Sequence, residues 1–353
     1  MRFLSILLLI TGFASVCSAQ AVSGSLHPET VTTIVDKLVA GLDDYVLPER
    51  AATLKGYLRA HLGEYQQIHS PEALADRLTT DLRAVGQDKH LTIWYAPPTD
   101  GSEVQSGPTE VQMRHVMEAR AFGVTHIARL PGNIGYLRLD FFVAAPDAAP
   151  IANAAMTLLH GSDALILDLR ANHGGSPDMV DQLISYFVES RIQLTSIVWR
   201  DGGTTHVDEQ WTSAEVSGPR FLHRPIYVLT SANTFSAGEQ FSYDLKTLKL
   251  AMIVGETTGG GANPSNKPHP LGAGFDAFIP NGQAKNPITH ANWEGVGVAP
   301  DIPAKASDAL LTAYVQALKT AKPEVMDFRL QKSRDDALEN PAQALRNAGF
   351  GPS

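Results

Sequence analysis

Cysteine is all but missing from this chain: Cys17 is the only one in 353 residues. It lies in an N-terminal stretch that reads as a removable leader, so the mature chain is expected to hold no disulfide, no thiol nucleophile and no thiolate metal site. A chain without staples must be stabilised by its core, which is easy at this length. Runs of Lys and Arg are absent and the formal net charge is −9, which argues against nucleic acid as a partner, because phosphate binding needs a basic face. There is no H-E-x-x-H pattern and the 12 histidines are scattered, so neither a metal nor another cofactor is expected. The apolar run from Phe3 to Ala14 is too short to span a membrane.

That run follows Arg2 and gives way to small residues, the pattern of a secretory signal peptide cleaved after Ala21, with Ala19 the alternative. The residues before Cys17, Ala14-Ser15-Val16, make a poor acylation context, which speaks against a lipid anchor. An exported chain, periplasmic or secreted, is the expectation. Hydrophobic residues make up 44% and charged residues 18%, an ordinary globular balance.

Between Pro28 and Val85 the pattern is helical. Val31, Ile34, Val35, Leu38, Val39 and Leu42 form one apolar stripe; Pro48 and Ser70-Pro71 open two further helices. Beyond Gly86 the spacing changes. A strand "HLTIWYA", a polar linker from Pro97 to Pro108 and two strands around Pro131-Gly132-Asn133 are followed by alternating β and α segments through "MIVGE". Such alternation predicts a mainly parallel sheet covered by helices. A hairpin is expected at Asn281-Gly282. The expected division is a leader at 1–21, a helical domain at 22–86, a catalytic core at 87–322 and a helical tail at 323–353.

Four segments could carry chemistry. In "TSANTFSAGEQF", Ser236 follows a buried strand and precedes Glu239 by three, which fits a helix capping box. The same place suits a nucleophile, because a helix start offers free N–H groups, that of Ala237 first, to a developing oxyanion. "DLRANHGGSP" sets Gly174 and Gly175 on a strand-to-helix turn, where backbone N–H groups can face a ligand or where the turn simply needs glycine. "GQDKHLTIWY" offers His90, and "NWEGVGVAPDIP" offers Glu294; either alone reads as an ordinary surface or loop residue.

Taken together and in this order, "DLRANHGG", "TFSAGEQFSYDLKTLKLAMIVGETTGGGA" and "GVGVAPDI" resemble the tail-specific (C-terminal processing) serine peptidases, in the branch of the tricorn core and of the repeats of interphotoreceptor retinoid-binding protein. The resemblance runs from about Ser70 to the helix after Ser307. It implies an α/β core of the ClpP/crotonase-like type, a spiral of β-β-α units, here with an N-terminal helical cap and no room for a PDZ module. It further implies a peptide or protein substrate and an acyl-enzyme on Ser236. Where the tail-specific members carry a lysine base, this chain has Gly261, and Lys246, Lys249 and Lys267 do not obviously replace it. The tricorn-like pattern instead implies His90 as general base, Glu294 in support, and Gly174 or Gly175 joining Ala237 in the oxyanion hole. Lys89 stands where that pattern has a serine, with Asp88 a substitute; His173 is a rival base. A histidine base predicts activity that falls below about pH 6.5. The competing expectation is a catalytically silent binder of an apolar ligand.

Overall fold

The computed structural model describes residues 25–97, 109–323 and 327–350. The expected leader, with Cys17, and most of the expected linker at 97–108 lie outside the described residues. In chain order the elements are α1 (Pro28–Gly41), α2 (Pro48–Ala60), α3 (Leu62–Tyr65), α4 (Pro71–Gly86), β1 (Thr92–Tyr95), α5 (Glu110–Ala119), β2 (Val124–Leu130), β3 (Ile134–Leu139), α6 (Ala145–Leu159), β4 (Ala164–Asp168) and α7 (Pro177–Ile184). Next come β5 (Ser196–Asp201), β6 (Thr204–Asp208), β7 (Ile226–Thr230), α8 (Ala237–Thr247), β8 (Met252–Gly255), β9 (His269–Gly272), β10 (Phe275–Phe278) and β11 (Gly282–Lys285). The chain ends with β12 (Ile302–Pro303), α9 (Ala309–Thr320), α10 (Phe328–Glu339) and α11 (Pro341–Asn347).

Two compact units form, and neither is a continuous block of sequence. The first takes the described residues up to 97 together with 197–208 and 263–284. The stripe on α1 buries Val31, Ile34, Val35 and Leu38 in a core shared with Leu54, Leu78 and Leu82 of the neighbouring helices and with Leu271, Phe275 and Ile279. Each such aliphatic side chain is worth about 1.5–3 kcal/mol of burial. Pro28, Pro48 and Pro71 start α1, α2 and α4, and the Ser70 hydroxyl accepts the Ala73 N–H at 3.2 Å, as the sequence pattern predicts. Strand β1 pairs antiparallel with β10, and β10 with β9. Hence the helices do not close off at Gly86. Their covering strands come from far along the chain, so the change of domain expected at 86–87 is not where the structure divides.

The expected hairpin at Asn281-Gly282 is a correction. The hairpin joins β9 to β10 instead, around Ala273 and Gly274, and β11 pairs with β5. Asn281 is buried, with its amide on Arg200 O and Asn266 Oδ1. A Cβ on Gly282 would stand 2.6 Å from the Trp199 ring. The dipeptide that looks like a turn is thus a passage from one sheet to another, past an indole that leaves no room for a side chain.

The second unit contains a six-stranded sheet in the order β12-β8-β7-β4-β3-β2. All neighbours are parallel except β2 with β3. Strands β4 and β7 lie at its centre and are buried at every residue, which explains their continuous apolar runs. Ala164, Ile166, Tyr227, Leu229 and Val254 point toward α9, where Ala313, Tyr314 and Ala317 meet them. The pleat sends Leu165, Leu167 and Val228 to the other face, and α6, α7 and α8 pack in sequence with one another. Among the described residues between β1 and β2, only α5 and one short 3₁₀ turn intervene. No described helix is long and apolar enough to cross a membrane.

Candidate active site

The parallel sheet places two turns side by side at the carboxyl ends of β4 and β7. Ligand sites of open α/β sheets form at such ends. After β7, the Thr234 hydroxyl donates to Leu169 O at 2.7 Å and the Ser231 hydroxyl to Arg170 O at 2.6 Å. The Phe235 N–H then reaches Asn172 O at 2.9 Å. These bonds continue the β4–β7 pairing beyond the strands. The Thr230 hydroxyl donates to Glu256 O at 2.8 Å, so three of the four hydroxyls in "TSANTFSAG" are fasteners, and that of Ser236 is different.

Ser236 is half-buried, with φ 53° and ψ −121°. A non-glycine residue rarely adopts that backbone, and such strain persists where surrounding structure overrides it. Glu239 supplies the override. Its fully buried carboxylate accepts the Ser236 N–H at 2.9 Å, the Gly261 N–H at 2.8 Å, the Gly260 N–H at 2.6 Å and the Thr258 hydroxyl at 2.5 Å. The Glu239 N–H bonds the Ser236 carbonyl at 2.9 Å. Burial pushes the Glu239 carboxyl up, and these four donors oppose it. The capping-box pattern is thus an anchor that fastens both the Ser236 turn and the 258–261 loop.

Gly174 and Gly175 have φ 102° and 132°, the region that favours glycine. A Cβ on Gly174 would stand 2.7 Å from Ser236 Cβ and 3.1 Å from Ala237 N; one on Gly175 would stand 2.0 Å from Phe142 O. The two turns touch. Asn172, fully buried, donates to Leu139 O at 3.0 Å and accepts the Gly174 N–H at 2.9 Å. Gly174 is thereby committed. Among the described residues, the N–H groups of Gly175 and Ala237 meet no backbone acceptor. Nothing in "DLRANHGGSP" signals this role for Asn172, because its partners Leu139 and Gly174 are set by the fold. His173 is exposed, its N–H on Asp140 O at 3.2 Å.

Glu294 lies in the same unit. Its Oε2 accepts the Ala262 N–H at 2.6 Å, and its own N–H is fixed by Asn292 Oδ1 at 2.9 Å. The buried Trp293 donates to Gly261 O at 2.7 Å. Glu239 and Glu294 consequently hold successive residues, 260–261 and 262, of one loop. Lys246 is committed to Asp301 at 2.9 Å and to Ala299 O at 2.6 Å, and Lys249 is exposed.

His90 belongs to the first unit, just before β1. Its side chain is 9% exposed and stacks on Phe278 at 5.7 Å between centroids. Asp88, buried, accepts the His90 N–H at 2.9 Å, the Tyr45 hydroxyl at 3.1 Å and the Asn263 amide at 3.0 Å; its Oδ1 is 3.8 Å from His90 Nδ1. Burial pushes the imidazole down to about 4, against the pull of Asp88. The ring is neutral at ordinary pH, the form a general base needs. A shallow cavity of about 670 Å³ at the ends of β8 and β12, lined by Glu256, Thr257 and Lys305 among others, includes none of the four segments' candidate residues.

Known proteins share this arrangement of elements. Residues 133–304 match peptidase family S41, and residues 24–121 match the N-terminal domain of peptidase S41 in eukaryotic IRBP. The chain belongs to peptidase family S41. This S41 chain is 32% identical over 166 residues to the carboxyl-terminal-processing protease of Synechocystis sp., covering 45% of this chain and 36% of that protein. It is 26% identical over 227 residues to carboxyl-terminal-processing peptidase 2, chloroplastic, of Arabidopsis thaliana, covering 58% and 42%. The matches thus span well under half the length of these relatives. Among solved structures, the photosystem II D1 C-terminal processing protease superposes with a TM-score of 0.50 at 16% identity, over 78% of this chain and 93% of that one. A lipoprotein from Streptococcus agalactiae gives 0.53 at 15%, over 86% and 100%. The expected family and fold class are those found.

Proposed function

We propose that this S41 chain is an exported serine peptidase working through an acyl-enzyme on Ser236. The observation that carries the reading is the backbone of Ser236, held in a strained conformation by Glu239 and packed against Gly174 of the neighbouring turn. In the proposed cycle His90 takes the Ser236 proton as Oγ attacks the scissile carbonyl. It returns that proton to the leaving amine, then activates water to release the acyl group. Glu294 supports the imidazole when it is charged. The N–H groups of Gly175 and Ala237 hold the oxyanion, each worth about 3–4 kcal/mol; Gly174 acts by shaping the turn, since its own N–H is taken. Gly261 at the lysine position, and the engagement of Lys246 elsewhere, favour histidine over lysine as base. Carboxyl-terminal processing, the activity named for the relatives, extends the proposal to the substrate: a peptide or protein chain.

The test is intact mass after reaction with a fluorophosphonate, on the native chain and on Ser236→Ala and His90→Ala. One label on the native chain and none on either variant is expected. The match of residues 24–121 to a domain of IRBP favours one rival, a silent binder of an apolar ligand. A folded native chain that takes no label would select it.

A further inference from the structure

Asp244 lies on α8, eight residues beyond Ser236, and is 1% exposed. Its Oδ1 accepts the Thr195 N–H at 3.2 Å, the Thr195 hydroxyl at 2.6 Å and the Asn286 amide at 3.0 Å. The orientation of the Asn286 amide is set from its other end, where Oδ1 accepts the N–H groups of Ile288 at 2.9 Å and Thr289 at 3.0 Å. Both the Thr195 N–H and the Asn286 NH₂ are obligate donors and converge with the Thr195 hydroxyl on one oxygen, an arrangement that an ionised carboxylate holds more strongly than a neutral group. Asn286 in turn organises a closed loop. Its N–H reaches Ala291 O at 3.0 Å and its carbonyl accepts the His290 N–H at 2.9 Å. That loop runs directly into Asn292, Trp293 and Glu294, and the Tyr243 hydroxyl meets Thr289 Oγ1 at 2.8 Å as a second tie to α8.

We propose that Asp244 is a positioning residue whose ionised carboxylate clamps Asn286 to the nucleophile helix and so sets the loop that carries Glu294. Its consequence for Ser236 rests on the peptidase reading above; the clamp itself does not. The groups facing Asp244 are Thr195, Asn286 and Gln240, all neutral. Nearby charges are turned elsewhere: Lys246 pairs with Asp301, and Lys285 and His290 are exposed. With no cation facing it, burial pushes Asp244 up to about 7. The clamp therefore holds above that pH and loosens as the carboxyl takes a proton below it.

The test is amide hydrogen exchange in the full chain, at pH 8 and pH 5.5, corrected for intrinsic rates. Ile288, Thr289 and Glu294 are expected to lose at least tenfold protection in the native chain at pH 5.5, while amides of α9 do not change. Asp244→Asn should be loose at both pH values. Yet it should unfold no more easily than the native chain at pH 8, because a buried charge has been removed; a merely structural residue would lower that stability. Asn286→Ala, which leaves Asp244 and Thr195 in place, should loosen the same amides and abolish their response to pH. Where the native chain takes the fluorophosphonate, Asp244→Asn should react about tenfold more slowly at pH 8, with no step near pH 7. Native protection in either variant, or a native loop indifferent to pH, would overturn the clamp. A chain that takes no label at all removes the Ser236 reading, while the exchange comparison still decides this one.

Discussion

Replacing Glu239 with glutamine would keep the shape of the side chain and change one oxygen to an NH₂ group. Four donors now converge on that carboxylate: Ser236 N–H and Gly261 N–H on Oε2, Gly260 N–H and Thr258 Oγ on Oε1. With the NH₂ at Oε2, two backbone donors would face a donor. At Oε1 the loss is smaller, because the Thr258 hydroxyl can turn to accept, although it already accepts the Val298 N–H at 2.7 Å. Glutamine should choose that orientation, leaving Gly260 N–H unsatisfied at about 1–3 kcal/mol and weakening the charge-assisted bonds that remain. Relief of the buried charge, which burial already disfavours, offsets part of this. The net cost comes to about 3 kcal/mol, a fall in Tm of roughly 4 °C for a chain of this length. Because the Gly260 contact is the one released, the 258–261 loop should move, and fluorophosphonate labelling of Ser236 should slow at least tenfold at a temperature where the variant is folded. Circular dichroism melts and intact-mass kinetics read both. A variant melting within about 2 °C of the native chain and labelling at the native rate would refute the anchoring role.

Other substitutions follow from the same geometry. Gly175→Ala puts a Cβ 2.0 Å from Phe142 O at φ 132°, so it should destabilise by about 3 kcal/mol or more in urea unfolding; native stability would show that the turn can open. Gly174→Ala points its Cβ at Ser236 Cβ, 2.7 Å away, and its loss of labelling should exceed its loss of stability. Leu38→Ala empties a fully buried site in the first unit and should cost about 2–5 kcal/mol. For His90, folding favours the neutral ring: its contribution to stability is complete above about pH 6.5, is lost as pH falls toward 4, and amounts to about 3 kcal/mol. Asp244 has the opposite sign, since its raised value makes the native chain bind a proton between about 4 and 7, stabilising at low pH and fading as pH rises through 7, by roughly 4 kcal/mol. Denaturant midpoints of Asp244→Asn should thus rise relative to the native chain as pH goes from 4 to 8; a constant difference would refute the assignment. If His90 is the base, as proposed, the same depression moves the acid limb of labelling from the 6.5 expected of an ordinary histidine to near 4, visible in the profile of Asp244→Asn.

Much of the second unit was legible because its signals are local. Continuous apolar runs gave β4 and β7, and a Ser-x-x-Glu spacing gave the start of α8. What escaped was set by partners distant in sequence. Asn281-Gly282 has the composition of a turn, and only the Trp199 ring shows that it passes between sheets. The Ser-x-x-Glu spacing pairs Glu239 with Ser236, three residues away, but carries no sign of its bonds from Thr258, Gly260 and Gly261. Asp244 reads as the polar side of an amphipathic helix, and its burial follows from Thr195 and Asn286, which lie 49 and 42 residues away. Of the two glycines proposed for the oxyanion, the commitment of Gly174 depends on Asn172 turning its amide back on the chain.

Timing of synthesis gives the discontinuous first unit a further meaning. Thr92 pairs with Phe278, so the strand that completes the helical core emerges 186 residues (278 − 92) after its partner. At about 5–20 residues per second that is a wait of roughly 10–40 s. Throughout it the stripe of α1 has no Leu271, Phe275 or Ile279 to pack against. A nascent chain of this design leaves that stripe uncovered until most of it exists, which would suit the export proposed above. Under the proposed function, it would also keep the enzyme from acting on its surroundings while half made.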